Sequence, residues 1–193
     1  MQTWQNLAVQ PPWTAAQLHG LAGQCRGALV QDWATLAGPV AATRTRACLL
    51  ADGFASPDVA AAAWLPIATH LRLHDVLAES LCAGDRVAFG QLWLQQVAAR
   101  VPRPAHWLAR QVGLARSTAW LLQQWPELWQ VPPPRCEVTD GRLTARFAGH
   151  PVFGQPTWRW LTALQAHLLL PLVVGRPLTV VADGDDATFS LRV

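Results

Sequence analysis

The residues best placed for metal chemistry are His70 and His74, four positions apart, with Asp75 and Glu79 following them. On a helix, two histidines at this spacing share one face and can bind a single metal ion through their imidazole nitrogens. A third ligand is needed, and no HExxH motif or Cys/His cluster supplies it. The alternative is an interfacial or partly buried pair with local hydrogen bonds. We therefore predict neither a bound metal nor any other cofactor.

Residues suited to nucleophilic or acid–base catalysis are scarce. The chain has only four serines and three glutamates, and no serine lies in a GxSxG nucleophile elbow. Asp185 and Asp186 form an adjacent pair of carboxylates, but beside a hairpin turn they are best explained as solvated turn residues. The sequence also lacks a glycine-rich phosphate loop. We therefore expect a protein that is not an enzyme.

Composition indicates a folded, intracellular protein. Half of the 193 residues are hydrophobic (51%) and only 14% are charged, which argues against disorder. The net charge of +3, without a basic run, permits nucleic-acid binding but does not require it. The four cysteines form no close pair, which fits a reducing compartment. Because no signal peptide and no membrane-spanning stretch are recognisable, we expect a cytoplasmic location and no membrane span.

Helical patterns occupy residues 1–131, which we predict to be a helical region. Thr14 and Gln17 form a capping box that predicts a helix running to about Leu36. The other helices are predicted at Val40–Ala51, at Ser56–Cys82 with a break at Pro66, at Asp85–Arg100, at Ala105–Val112 and at Arg116–Leu128. The Pro132-Pro133-Pro134 run that follows is the predicted boundary.

Residues 132–193 predict a hairpin, a helix and a second hairpin. Arg135–Ala148 carries an Asp-Gly turn at Asp140, and Pro177–Val193 carries another at Asp183, with apolar and polar residues alternating beside both turns. The helix between them is predicted at Pro156–Leu170. The predicted fold class is therefore α+β, with a helical N-terminal layer packed as one domain on a C-terminal four-stranded antiparallel sheet.

The same C-terminal third resembles a known superfamily. The Asp140-Gly141 hairpin, the Trp158–Leu170 helix and the closing strands of Val180–Val193 are similar to the tail of the 4-vinyl-reductase-like domains, which also include haem–nitric-oxide-binding proteins. The chain lacks the cysteines that flank the last turn in many members, and no histidine matches a haem ligand. The resemblance implies sensing of a small apolar ligand or association with other proteins, rather than catalysis.

Residues 105–124 also resemble the bacterial helix-turn-helix signature. A small residue lets the two helices cross closely, a glycine makes the turn, and apolar residues hold the second helix in place. The residues that match these positions are Ala109, Gly113, Ala119 and Leu122. The Arg135–Ala148 hairpin then falls where a winged-helix protein carries its wing.

This resemblance leads to the hypothesis of a winged-helix transcriptional regulator. Arg116, Ser117 and Thr118 would enter the major groove, and Arg142 would lie on the wing. Trp120 and Leu121 oppose it, because a helix that reads DNA presents polar groups to the base edges. Apolar residues at these positions are more typical of a helix buried in the protein.

The chain contains eleven tryptophans and no lysine, so every basic residue is an arginine. The missing lysine is typical of GC-rich bacterial genomes, but Trp and Arg are also the side chains enriched at binding hot spots. We favour a non-catalytic bacterial regulatory or adaptor protein that binds a protein partner, a second copy or a small apolar molecule. The residues predicted to make that contact are Trp120, Trp125, Trp129, Trp158 and Arg159. The hypothesis requires several tryptophans to be exposed.

Overall fold

The computed structural model describes residues 2–29, 38–51, 61–100, 107, 111–175, 178–184 and 188–193. The helices are α1 (Trp4–Ala8), α2 (Ala15–Leu18), α3 (Gly38–Ala51), α4 (Ile67–Cys82), α5 (Arg86–Arg100), α6 (Leu114–Leu128) and α7 (Pro156–Val174). The strands are β1 (Gln24–Arg26), β2 (Trp64–Pro66), β3 (Arg135–Thr139), β4 (Arg142–Ala148), β5 (Val181–Asp183) and β6 (Thr188–Arg192). The predicted α+β class is confirmed, with a C-terminal four-stranded antiparallel sheet packed against helices.

Side-chain caps determine where two of the helices begin. The backbone N–H of Thr14 donates to Gln17 Oε1 at 2.9 Å, and the N–H of Gln17 donates to Thr14 Oγ1 at 3.3 Å, which is the predicted capping box of α2. Asp85 Oδ1 accepts from the N–H groups of Val87 and Ala88, each at 2.9 Å. These bonds satisfy amides that have no partner within the first turn of a helix. Both predicted starts are confirmed.

The long helix predicted from Thr14 is wrong between residues 19 and 26. α2 ends at Leu18, and the chain then passes through Gly20 and Gly23, at φ values of 80° and 100°. A side chain at Gly23 would place its Cβ only 2.7 Å from Val131 Cγ1, so this position needs glycine for close approach as well as for its backbone angle. Residues 30–36 of the predicted helix lie outside the described residues.

Pro66 separates a strand from a helix. β2 ends at this proline and pairs antiparallel with β1, so that Cys25 lies opposite Leu65. α4 begins directly after it and ends at Cys82, where Ala83 adopts the left-handed conformation with φ 50°. The predicted break at Pro66 is therefore confirmed. The helix predicted before it is wrong over residues 61–66, which form a turn and then β2. The Ser56-Pro57-Asp58 start signal lies outside the described residues.

The C-terminal sheet has the strand order β3-β4-β6-β5, and every neighbouring pair is antiparallel. Asp140 and Gly141 join the first two strands with φ values of 51° and 71°, as a two-residue turn with two positive φ angles requires. In the second hairpin β5 ends at Asp183, and the loop to β6 includes residues 185–187, which lie outside the described residues. Alternate residues of β4 are buried, which confirms the predicted period of two.

The buried core runs from α1 through α7 to the sheet. Trp160 and Leu164 on α7 are fully buried, and Leu7 on α1 belongs to the same core. Gln2 extends the edge of the sheet, because its N–H and C=O both bond to Ala182 at 2.7 Å. The boundary proposed at the triple-proline run stays a prediction. None of the helices in the described part of the chain is long and apolar enough to cross a membrane.

Candidate functional site

Helix α6 has one face in the protein and one face in solvent. Thr118 is buried and Trp125 is half-buried, and their spacing of seven residues places them on the same side of the helix. On the other side Trp120 is 58% exposed. Leu121 is the next residue, about 100° further round the helix, and is 45% exposed. We call Arg116, Trp120 and Leu121, all exposed, the Trp120 surface. Tryptophan and arginine are among the side chains most enriched at the centres of protein contacts, so an exposed Trp120 near Arg116 is a candidate anchor.

An aromatic cluster holds the inner face of α6. The ring of Trp158 on α7 lies edge-to-face against Trp129 at 4.9 Å and against Trp125 at 6.3 Å. The indole N–H of Trp125 donates to the carbonyl oxygen of Val131 at 2.9 Å. Arg26 reaches the end of the helix from β1, and its Nε–H donates to the Glu127 carbonyl oxygen at 2.8 Å. These contacts fix the helix that displays Trp120, so the surface is held ready for binding.

The predicted histidine pair lies behind this cluster. His70 and His74 are buried, their rings are 4.5 Å apart, and His70 also packs edge-on against Trp129 at 5.3 Å. The Nδ1–H of His74 donates to the His70 carbonyl oxygen at 2.7 Å. Burial lowers the pKa of His70 to about 4 and the pKa of His74 well below its usual value. Within the described ranges no cluster of three His, Cys, Asp or Glu side chains forms around them.

Two of the predicted contact residues are not on the surface. Trp158 is 4% exposed and Arg159 is 8% exposed, because both belong to the first turns of α7, which pack on the core. The Nη2–H of Arg159 donates to the Gly184 carbonyl oxygen at 3.3 Å, and its guanidinium lies over Phe189. These two residues bind other parts of the chain, so an exposed contact surface does not include them.

Most of the described tryptophans lie in the core or pack against it. Of the ten that the structure describes, only Trp107 and Trp120 are exposed. Their abundance reflects packing more than surface recognition, since each buried ring removes a large apolar area from water. The general argument from tryptophan content to an interface therefore fails. Only a specific exposed residue can support a contact.

Some of the residues proposed to bind DNA are exposed and others are buried. Gly113 precedes α6 with φ 78°, as a turn between two helices allows, and Arg116 is exposed. Thr118 is buried and faces the protein, so it cannot enter a groove. Trp120 and Leu121 are exposed, which is contrary to the expected burial. Of the first helix in the resemblance, only residues 107 and 111–112 are described.

The other polar residues of that hypothesis lie apart from one another. Ser117 is half-buried on α6, whereas Arg142 is exposed at the start of β4. Arg142 points to the outer face of the sheet, opposite Thr139. Since β4 is an inner strand that pairs with both β3 and β6, its hairpin is part of a sheet and not a free wing.

A polar network that the sequence did not predict links α4, α5 and α7. The hydroxyl of Thr157 donates to the Asp75 carboxylate at 3.0 Å and accepts from Arg86 Nη2 at 2.9 Å. Arg86 also donates to the Gln10 carbonyl oxygen at 2.7 Å, and its guanidinium lies 4.4 Å from the Trp160 ring centre. These residues are up to 82 positions apart in the chain. No local pattern could have brought them together in advance.

Asp75 also lines a pocket of about 350 Å³, which we call the Asp75 pocket. Four charged residues line it: Arg44 from α3, and Arg72, Asp75 and Glu79 from α4. Burial raises the pKa of Asp75 to about 6, and Arg86 and the Thr157 hydroxyl counteract part of that rise. A carboxyl group with a strongly shifted pKa in a cleft marks a candidate binding site. The sequence had drawn attention to Asp75 and Glu79 only as neighbours of the histidines.

No family model, no curated protein and no solved structure matches this chain. The resemblances to the 4-vinyl-reductase-like domains and to the helix-turn-helix signature therefore stay predictions. A function for this chain must be argued from its own surfaces.

Proposed function

We propose that this protein is a non-catalytic adaptor or regulatory protein that binds a protein partner through the Trp120 surface. The observation that carries the proposal is the exposure of Trp120, together with that of the next residue, Leu121, on a helix whose inner side is anchored in the core. Exposing two adjacent large apolar side chains keeps apolar area in water that burial would remove. A partner that covers them gains that stabilisation.

The Trp120 surface fits a partner protein that has an apolar groove. A helix that presents an aromatic anchor to such a groove is a recurring mode of recognition. The anchor here needs little ordering, because Trp125 and Trp129 already fix the helix from behind. Arg116 lies one turn before Trp120, so a carboxylate at the rim of the groove would complement it.

The small apolar ligand has less support than the protein partner. The Asp75 pocket is lined by four charged side chains. An apolar molecule would take water away from those charged groups without offering them a hydrogen bond, which is costly.

DNA binding is a second candidate, and the turn at Gly113 with the exposed Arg116 favours it. Against it, the outward face of α6 offers an indole and a leucine where base edges require hydrogen-bonding groups. If the candidate holds, binding to duplex DNA weakens steeply with added salt, and Arg116→Ala reduces it. The absence of any salt-dependent shift on duplex DNA would exclude it.

The test of the main proposal compares what co-purifies with matched variants in the native cells. Trp120→Ala with Leu121→Ala removes the anchor, and Leu50→Ala on α3 is the control, because Leu50 is also an exposed leucine (53%). We expect a stoichiometric partner with the wild type and the control, and its loss from the double variant. Circular dichroism must show that the double variant is folded. An identical set of bound proteins for all three chains would contradict the proposal.

A further inference from the structure

The Asp75 pocket is lined by charged groups of both signs, and the guanidinium of Arg72, on the same helix as Asp75, bonds to Cys48 of α3. α4 contributes Asp75 and Glu79, one turn apart on the same helix face, and α3 contributes the exposed guanidinium of Arg44. Trp13 and Leu18, from the segment around α2, add apolar surface beside them. At about 350 Å³ the space is at the lower end of the range for small-molecule sites. The chemistry of the walls therefore calls for a small ligand with a cationic end, an anionic end and an apolar part.

The Asp75 carboxylate lines the pocket and has described partners on two other helices. The Thr157 hydroxyl donates to it, and Arg86 Nη2 lies 3.6 Å from Oδ1. A carboxylate has about four lone-pair positions, and one hydroxyl proton uses only part of them. The side chain is still 18% exposed, so acceptor capacity remains on the pocket side. The hydroxyl of Ser80 donates to the Val76 carbonyl at 2.7 Å, which leaves its oxygen able to accept from a ligand.

We propose that the Asp75 pocket binds a small zwitterion of the α-amino-acid type. Its ammonium group donates to the Asp75 and Ser80 oxygens, and its carboxylate pairs with the Arg44 guanidinium. Its apolar side chain lies against Trp13 and Leu18. A free amine would leave the arginine side of the pocket unmatched, and a free carboxylate would be repelled by Asp75 and Glu79. This site is separate from the Trp120 surface, and neither proposal depends on the other.

The first experiment is calorimetry on the full chain with leucine and two analogues that each lack one charge. These are 3-methylbutylamine, which lacks the carboxylate, and 4-methylpentanoate, which lacks the ammonium group. Because each analogue loses one charge-assisted interaction, we expect it to bind about tenfold more weakly than leucine, or worse. A screen of the other standard amino acids at about 10 mM finds the best side chain if leucine is not the preferred one. Equal binding of leucine and its analogues would overturn the proposal, as would a lack of binding by every amino acid.

The second experiment uses variants with matched controls. Arg44→Ala and Asp75→Asn each weaken amino-acid binding by about tenfold or more. Arg146→Ala and Glu137→Gln remove an exposed arginine and an exposed carboxylate from the outer face of the sheet, and they leave binding unchanged. Arg44 is exposed, so its replacement is tolerated even if Asp75→Asn destabilises the protein. Unchanged affinity in Arg44→Ala would contradict the assigned orientation and with it the proposal.

A proton readout separates direct contact with Asp75 from a structural effect. The charged groups around this carboxyl are Arg86 from α5, Arg44 from α3, and Arg72 and Glu79 from its own helix. Since the pKa of Asp75 is raised to about 6, this carboxyl is protonated in roughly half of the protein molecules at pH 6. An ammonium ion beside Asp75 favours the ionised form, so binding at pH 6 releases up to about half a proton. The binding heat then depends on the ionisation enthalpy of the buffer in the wild type, and this dependence disappears in Asp75→Asn. A buffer-independent heat in the wild type would contradict the contact.

Discussion

Acid should destabilise this protein through His70, and replacing that residue by phenylalanine isolates the effect. The ring is buried against His74 and Trp129, and its Nδ1 has no hydrogen-bond partner among the residues that the structure describes. His70→Phe keeps an aromatic ring of similar size in the same place and cannot be protonated. At pH 7 the swap changes the free energy of unfolding by about 1 kcal/mol, as volume-conserving core substitutions do.

The magnitude follows from the pKa of His70 in the two states. Burial lowers it from 6.5 to about 4, so the unfolded chain binds a proton more readily than the folded protein below pH 6.5. Stability is therefore lost as the pH falls from 6.5 towards 4. This difference in pKa lowers the free energy of unfolding by about 3 kcal/mol at pH 4. His74 acts in the same direction, since burial and the neighbouring His70 lower its pKa as well.

Asp75 acts with the opposite sign and hides part of the effect in the wild type. Burial raises its pKa from 3.8 to about 6, so the folded protein holds this proton more tightly than the unfolded chain. The resulting stability is present below pH 3.8 and is lost as the pH rises through 6. Its size is also about 3 kcal/mol, so the wild-type pH profile alone would understate the contribution of His70.

The assay is urea unfolding followed by far-ultraviolet circular dichroism at several pH values between 7 and 4. We expect the free energy of unfolding of His70→Phe to rise relative to the wild type by about 3 kcal/mol over this interval. The control is Leu73→Val, a buried residue on the same helix that loses one methylene and should cost about 1 kcal/mol at every pH. A constant difference between His70→Phe and the wild type at pH 7 and pH 4 would refute the reasoning.

Two further substitutions test packing and the polar network. Thr157→Val removes the hydroxyl that bridges Asp75 and Arg86. Because buried charged groups lose a partner, we expect the free energy of unfolding in urea at pH 7 to fall by about 2 kcal/mol. A change near zero would mean that the bridge does not contribute to stability. Gly90→Ala would normally stabilise a helix, but its Cβ would lie 2.7 Å from Trp4 Cζ3, so we expect a lower melting temperature and a loss of about 2 kcal/mol. A gain in stability would show that Trp4 moves aside without cost.

Local signals predicted the elements that depend on neighbouring residues. The Asp140-Gly141 turn was predictable because both residues must adopt positive φ, and the start of α5 was predictable because Asp85 can reach the amides that follow it. The pairing of β1 with β2 was not, since each strand has three residues and they are far apart in the chain. Gly23 shows the same limit: its close approach to Val131 depends on tertiary packing and not on its neighbours.

The candidate sites also depend partly on local sequence and partly on tertiary packing. Trp120 was predicted as a contact residue and is exposed, whereas Trp158 was predicted with it and is buried. The sequence shows that both are large apolar side chains, but only the packing of α6 and α7 decides which one faces water. Asp75 became a candidate only when Thr157 and Arg86, from two other helices, were placed around it.

The most direct test of the proposed function is crosslinking at the Trp120 surface in the native cells. The photoreactive residue p-benzoylphenylalanine is placed at position 120 and, for comparison, at position 50 on α3, which is also exposed. The proposal predicts a discrete adduct with a single protein after irradiation of the chain labelled at position 120, and none at position 50. Equal crosslinking at both positions, or no adduct at position 120, would contradict a partner seated on α6.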